Sequence, residues 1–289
     1  MMERTLIIVP TKDRAEEMNI FIQNLITQSE LGFKSFDLFV ADMSTERMYL
    51  KNNWMIDTAT RRLAHLGHSW LVARVEGHNQ LFGYQRGLEF AKENGYEYAI
   101  ASDDDCVFSL GWIGRMLVDI MKHQDASCFC GSCLIPWESE ETQQQDGPFG
   151  KWSDTEEFQG KLEPEPHFFH ITRLPPDDEI REYEQIYGPF IFRVKDFFDV
   201  GGFPTWLSRL GFRGEMMAQT ATFFNGRKLY LDPKAKSWHY SVPHGGLREV
   251  LPNKMGGDRE ECLAQDRKAW DAFMKRRTPD TSDPSVPHI

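Results

Sequence analysis

YAIASDDD, residues 98–105, runs an apolar stretch straight into three consecutive carboxylates. A short apolar run of this kind reads as a strand buried on both faces, which suits a parallel sheet covered by helices. Three adjacent carboxylates repel one another. Setting them side by side is favourable mainly where a cation or a solvated turn compensates. A D-x-D spacing can bring two carboxylates to one hard cation, and Mg2+ or Mn2+ held that way usually also takes phosphate oxygens from a substrate. Asp103, Asp104 and Asp105 are therefore the first candidates for a site, with an exposed acidic turn as the plain alternative.

Working outward, strands and helices alternate. Thr5 to Val9 (TLIIV) reads as a buried strand bounded by Pro10. Met18, Phe21, Ile22, Leu25 and Ile26 give helical spacing over residues 15–28. FDLFVA (36–41) is a second strand, followed by the polar turn 42–45. The pattern then predicts a helix over 49–66, a strand over 69–75, a helix over 81–93, and, past the aspartates, a helix over 112–123 and a strand over 126–135. This alternation predicts an α/β fold: a mostly parallel central sheet with helices on both faces. Ligands of such sheets sit beyond the carboxyl ends of the strands. Thr11, Asp13, Arg14, Asp42, Asn79 and Asp103 to Asp105 all fall at such ends, so they are expected to gather in one crevice.

Residues 136–187 are rich in Glu, Asp, Gln and Pro with interspersed aromatics, and read as a solvated insertion or an acceptor-side lid. Beyond them the pattern predicts a strand over 187–194, a Gly-Gly-Phe-Pro turn at 201–204, a helix over 215–224, a strand over 228–231 and a charged helix over 258–277. Residues 278–289, rich in Pro, Ser and Asp, read as a disordered tail. Two residues here can carry chemistry. His239, in Ser-Trp-His-Tyr, offers an imidazole, which suits Mn2+ better than Mg2+; His244 competes for that role. Glu215 opens a helix, where the dipole stabilises a carboxylate and where it could also act as a general base.

The whole chain of 289 residues carries a net charge of -11, and 27% of its residues are charged. Such an acidic surface disfavours broad contact with nucleic-acid backbones. The organisation read from it is one catalytic domain over 1–277: a nucleotide-binding half (1–135), the acidic insertion (136–187), an acceptor half (188–257) and the charged helix. No apolar run is long enough for a signal peptide or a membrane span, so the expected setting is the cytoplasm. The five cysteines are an odd count, and Cys128, Cys130 and Cys133 lack a second paired knuckle. They read as small buried residues on a strand.

Taken together, the motif order resembles the inverting GT-A glycosyltransferases, glycosyltransferase family 2 above all. The matching pieces are IIVPTKDR at 7–14, the acidic turn at Asp42, the segment from Asn79 to Gly87, D-x-D at Asp103 to Asp105, Gly201-Gly202-Phe203, and a late strand leading to His239. The resemblance covers about residues 6–240. It implies a nucleotide-sugar donor, leaning to UDP, a Mn2+ or Mg2+ cofactor and an acceptor hydroxyl on a glycan, a small molecule or a modified DNA base. It also implies roles. Pro10, Thr11, Asp13, Arg14, Asn79, Arg86 and Asp104 would belong to the donor pocket. Asp42 would contact the base, and Asp103 the ribose or the metal. Asp105 would ligate the metal, His239 would be a further metal ligand or a phosphate contact, and Glu215 would be the catalytic base.

Two departures stand out. Ala41 replaces the usual first Asp of the second turn, and the family's E-D pair is absent, with Gly214-Glu215 in its place. Glu215 keeps the family's spacing of about eleven residues before a helix-ending glycine, here Gly226. The rival readings are a nucleotidyltransferase of similar fold and a non-catalytic nucleotide-sugar or glycan binder. The first is weakened because PTKDRAEEM contains no glycine, and the second leaves Asp103, Asp105 and Glu215 without a joint purpose.

Overall fold

The computed structural model describes residues 4–33, 35–134, 179–183, 186, 188–211, 213–239, 259–277 and 279–282. In chain order the elements are β1 (Thr5–Thr11), α1 (Ala15–Glu30), β2 (Phe36–Asp42), α2 (Trp54–His65), β3 (Trp70–Arg74), α3 (Leu81–Glu93), β4 (Tyr98–Ala101), β5 (Cys106–Phe108), α4 (Trp112–Lys122), β6 (Ala126–Leu134), β7 (Arg181–Tyr183), β8 (Phe190–Arg193), α5 (Val194–Asp199), α6 (Gly214–Phe224), β9 (Lys228–His239) and α7 (Arg259–Arg276). The strands form one α/β sheet in the order β3-β2-β1-β4-β8-β6-β9-β5, with β7 also paired to β9. β3, β2, β1 and β4 run parallel, as do β6 and β9. β8 enters antiparallel between β4 and β6.

Alternation along β1 explains the two-sided core. Leu6 and Ile8 join a cluster with α3, α5, α6 and α7 residues such as Leu88, Phe197, Met217 and Phe273. Ile7 and Val9 join a second cluster with α1, α2 and α4 residues such as Phe21, Leu63 and Met116. Successive side chains point to opposite faces, so one apolar strand feeds both layers. Helix α3 lies unusually close to the sheet. A Cβ on Gly87 would stand 2.2 Å from Ile8 Cγ2, and one on Gly83 would stand 2.8 Å from Pro10 Cβ.

Several boundaries differ from the sequence expectation, each for a physical reason. β1 does not stop at Pro10 but runs to Thr11. Pro10 faces the β4 side, where the β4 ladder has already ended at Ile8↔Ala101, so its missing N–H forfeits no ladder bond. The helix expected over 49–66 begins at Trp54, where the Asn53 side chain accepts from Met55 N. Short 3-10 turns precede it, because Asp42 Oδ2 draws Leu50 N inward at 2.7 Å. β9 does not end near Leu231 but continues through Pro233 to His239. A register shift against β6 between Gly131 and Ser132 absorbs the extra residues. Gly131 is what permits it, since a Cβ there would lie 2.0 Å from Ala235 O. Within the stretch expected to be disordered, Thr281 is buried, and its hydroxyl lies 2.9 and 2.6 Å from the carbonyl oxygens of Val200 and Gly202.

The expected lid at 136–187 lies outside the described residues apart from 179–183 and 186, and so does His244. No helix among the described residues is long and apolar enough to cross a membrane.

Candidate functional site

β4 delivers the chain to the carboxyl edge of the parallel strands, and Ser102 N donates to Ile8 O as the last tie to β1. The aspartates then turn the chain into β5, which pairs antiparallel with the end of β9. In that ladder Cys106 lies directly opposite His239. The result is a cluster in which one ligand atom each from Asp103, Asp105, Cys106 and His239 all lie within 4.8 Å of one another. His239 Nε2 is 2.9 Å from Asp105 Oδ1 and 3.6 Å from Asp103 Oδ2.

The three carboxylates have different jobs. Asp104 is buried and accepts from Thr11 Oγ1 at 2.6 Å and from Arg14 at 2.9 Å. Burial, with the Asp105 charge adding to it, raises its carboxyl well above the ordinary range against the pull of Arg14. Asp105 receives Arg14 at 3.0 Å on one oxygen and His239 on the other. Burial alone would raise Asp105, but His239 and Arg14 outweigh it and hold the carboxyl below its usual value. Asp103 is the open one, 38% exposed, and it accepts from Tyr84 Oη at 2.9 Å. Burial opposes protonation of His239, yet Asp105 and Asp103 together push the ring up to about 10. The converging carboxylates thus favour positive charge at this point, held as a proton on the ring that a bound cation would displace. Two carboxylates and an imidazole are a donor set for a divalent cation, so the residues fit a metal centre.

Asp103 also lines an open cleft, together with Gln80, Tyr84, Glu215 and Gln219. Glu215 stands in the first turn of α6, half-buried. The chain reaches it through Gly211 at φ +60 and Arg213 at φ 64. Gly214 packs against Leu81, where a Cβ would come within 2.3 Å of a methyl carbon. Gln80 Nε2 donates to Glu215 Oε1 across the cleft. The Tyr84 hydroxyl is raised well above its ordinary value, first by burial and then by the charges of Asp103 and Glu215.

Of the residues expected from sequence, Asp103, Asp105, His239 and Glu215 come together here, and Thr11, Arg14 and Asp104 brace them from behind. Four others are used differently. Asp42 is fully buried, and its oxygens accept from Ser44 N and Leu50 N, so it organises its own turn and presents no surface to a base. Asp13 accepts from Thr45 N and Oγ1 and ties two loops together. Asn79 is fully buried and joins the start of α3 to the carbonyls of Leu207 and Ser208. Arg86 is 46% exposed and pairs with Glu89 and Glu93 along α3, because its position on the helix faces away from the packed side. Pro10 packs on the Gly83 surface of α3. Cys106, Gln80, Tyr84 and Gln219 were not among the expected site residues. Gln80 and Tyr84 carry a faint signal, being four apart at the start of a helix and so on one face.

No protein-family model matches the chain, and no curated protein matches it in sequence. Solved structures do. One is the mannosyltransferase PcManGT from Pyrobaculum calidifontis, in complex with GDP-Man and Mn2+, at 15% identity and a TM-score of 0.55 over 85% of this chain and 59% of that one. Another is S. aureus TarS, at 14% identity and a TM-score of 0.51 over 83% and 37%. A third is GalNAc-T7 with UDP, GalNAc and Mn2+, at 12% identity and a TM-score of 0.54 over 82% and 44%. The chain has the GT-A fold. It spans less than two thirds of the length of each of these three chains. In the GT-A fold, as in other open α/β sheets, the ligand crevice lies beyond the carboxyl ends of the strands. The cluster and the cleft both sit there, past β1 and β4.

Proposed function

We propose that this chain is a metal-dependent glycosyltransferase that moves a sugar from a nucleoside-diphosphate donor, a UDP-sugar, to an acceptor hydroxyl with inversion. The observation that carries the reading is the double position of Asp103. It belongs both to the ligand cluster and to the wall of the cleft that holds Glu215. A cation held by the cluster and Glu215 acting as base would then share one cleft, on a fold whose solved relatives include complexes with GDP-Man and Mn2+ and with UDP and Mn2+. The choice of uridine rests on the sequence resemblance.

Asp103, Asp105 and His239 would hold the metal, and the imidazole favours Mn2+ over Mg2+. When bound, the metal neutralises charge developing on the leaving diphosphate. Glu215 takes the proton from the acceptor hydroxyl. The hydroxyl oxygen bonds to the anomeric carbon as the bond to the diphosphate oxygen breaks on the opposite face. Gln80 orients the Glu215 carboxylate, and Arg14 with Thr11 keeps Asp104 and Asp105 in place. The net charge of -11 favours a glycan or small-molecule acceptor over nucleic acid. One continuous sheet runs from β1 to β9, which supports reading residues 1–277 as one catalytic unit.

The test begins with a donor screen by thermal shift in the presence of Mn2+, followed by acceptor profiling. Glu215→Gln is then compared with the parent. Transfer should fall by about 10²–10⁴-fold while donor affinity and melting temperature stay nearly unchanged. A folded variant with near-normal turnover would exclude Glu215 as the base.

A further inference from the structure

We propose that the Cys106 thiol is a ligand of the same centre and makes it select thiophilic divalent cations, Zn2+ and Cd2+, over Mn2+ and Mg2+. The inference rests on reading the Asp103–Asp105–His239 cluster as a metal centre. Three observations carry it. First, the β5–β9 register places Cys106 directly opposite His239, and directly opposed residues of an antiparallel pair project their side chains on the same face. Second, Cys106 Sγ lies within 4.8 Å of a ligand atom from each of Asp103, Asp105 and His239. Third, Cys106 is 1% exposed and forms no disulfide, so the sulfur is kept from solvent and held in that position by the strand.

A buried cysteine commonly serves as a small apolar filler, and one flank of Cys106 does join the core beneath α1 and α4. Its sulfur, however, stands among two carboxylates and an imidazole. The donor set changes with it. Oxygen and imidazole ligands alone are suited to Mn2+, whereas a thiolate prefers softer ions and forms deprotonated bonds to them.

The test uses the full chain with one equivalent of metal. Cd2+ should produce a thiolate-to-metal charge-transfer absorption in the ultraviolet. Cys106→Ser should remove it, weakening Cd2+ binding by roughly tenfold or more while changing Mn2+ binding by less than about twofold. X-ray absorption on the zinc-loaded parent needs no variant. It should show one sulfur at about 2.3 Å with nitrogen and oxygen neighbours. A shell with no sulfur, in a protein that binds Mn2+, would overturn thiol ligation and leave the metal centre standing. Two or more sulfurs would move the ion to Cys128, Cys130 and Cys133 and overturn it equally. Failure of Mn2+, Zn2+ and Cd2+ alike to bind would remove the metal centre itself.

Discussion

Asp103, Asp104 and Asp105 are chemically identical and do three different things. Asp104 is spent on Thr11 and Arg14, Asp105 joins Arg14 to His239, and Asp103 faces the cleft with Tyr84 on one oxygen. The residues that orient a metal ligand commonly matter nearly as much as the ligand. Tyr84→Phe keeps the ring, which stacks on Phe203, and deletes only the hydroxyl that holds Asp103. Mn2+ affinity, read by calorimetry, should fall by about 10–100-fold. Arg86→Ala, on the outer side of the same helix, should leave it unchanged. Equal effects of the two substitutions would refute the role given to Tyr84.

At the scale of elements, α3 is the part that positions the cleft, because it carries Tyr84 and begins just after Gln80. Its approach to β1 depends on having no side chain at Gly83 and Gly87. Gly87→Ala gains about 1 kcal/mol of helix propensity in an exposed setting, but here the added methyl must enter the space of Ile8 Cγ2. Overpacking of this kind typically costs about 1–3 kcal/mol, so a net loss of stability is expected in urea unfolding. Displacing α3 also moves Gln80 and Tyr84, so donor binding should weaken in the same variant under folding conditions. A variant as stable as the parent would show that α3 can shift outward freely. The β9 strand gives the complementary lesson. The Asp232-Pro233-Lys234 stretch reads locally as an end, yet the strand continues because β6 carries a glycine where the two chains cross closest.

For the molecule as a whole, stability should carry a pH signature from a place remote from the cleft. Asp119 of α4 is buried beside Asp232 of β9, and Arg115 reaches Asp232 at 3.3 Å. Burial first, and the Asp232 carboxylate second, push Asp119 up to about 6. The folded protein therefore keeps a proton that the unfolded chain has already released. Raising the pH from about 4 to about 6 removes that advantage, so stability falls through this window, by on the order of 1 kcal/mol. Asp119→Asn should flatten the dependence when melting temperatures are compared across the same range. An unchanged slope would assign the effect elsewhere. What the sequence by itself determined is the order and type of most elements, including α3 at residues 81–93, because the periods of 2 and 3.6 are local properties of the chain. It determined, too, that polar residues at strand ends would face one edge of the sheet, and it singled out Asp103, Asp105, His239 and Glu215. Only the tertiary structure decided which polar residue touches the cleft and which is consumed inside the fold. Asp42 and Asn79 read like ligand contacts until burial shows both to be holding loops. Cys106 comes to lie opposite His239 only because β5 pairs with β9. The reason is physical: burial and strand register are set by partners far away along the chain, and no local spacing records them.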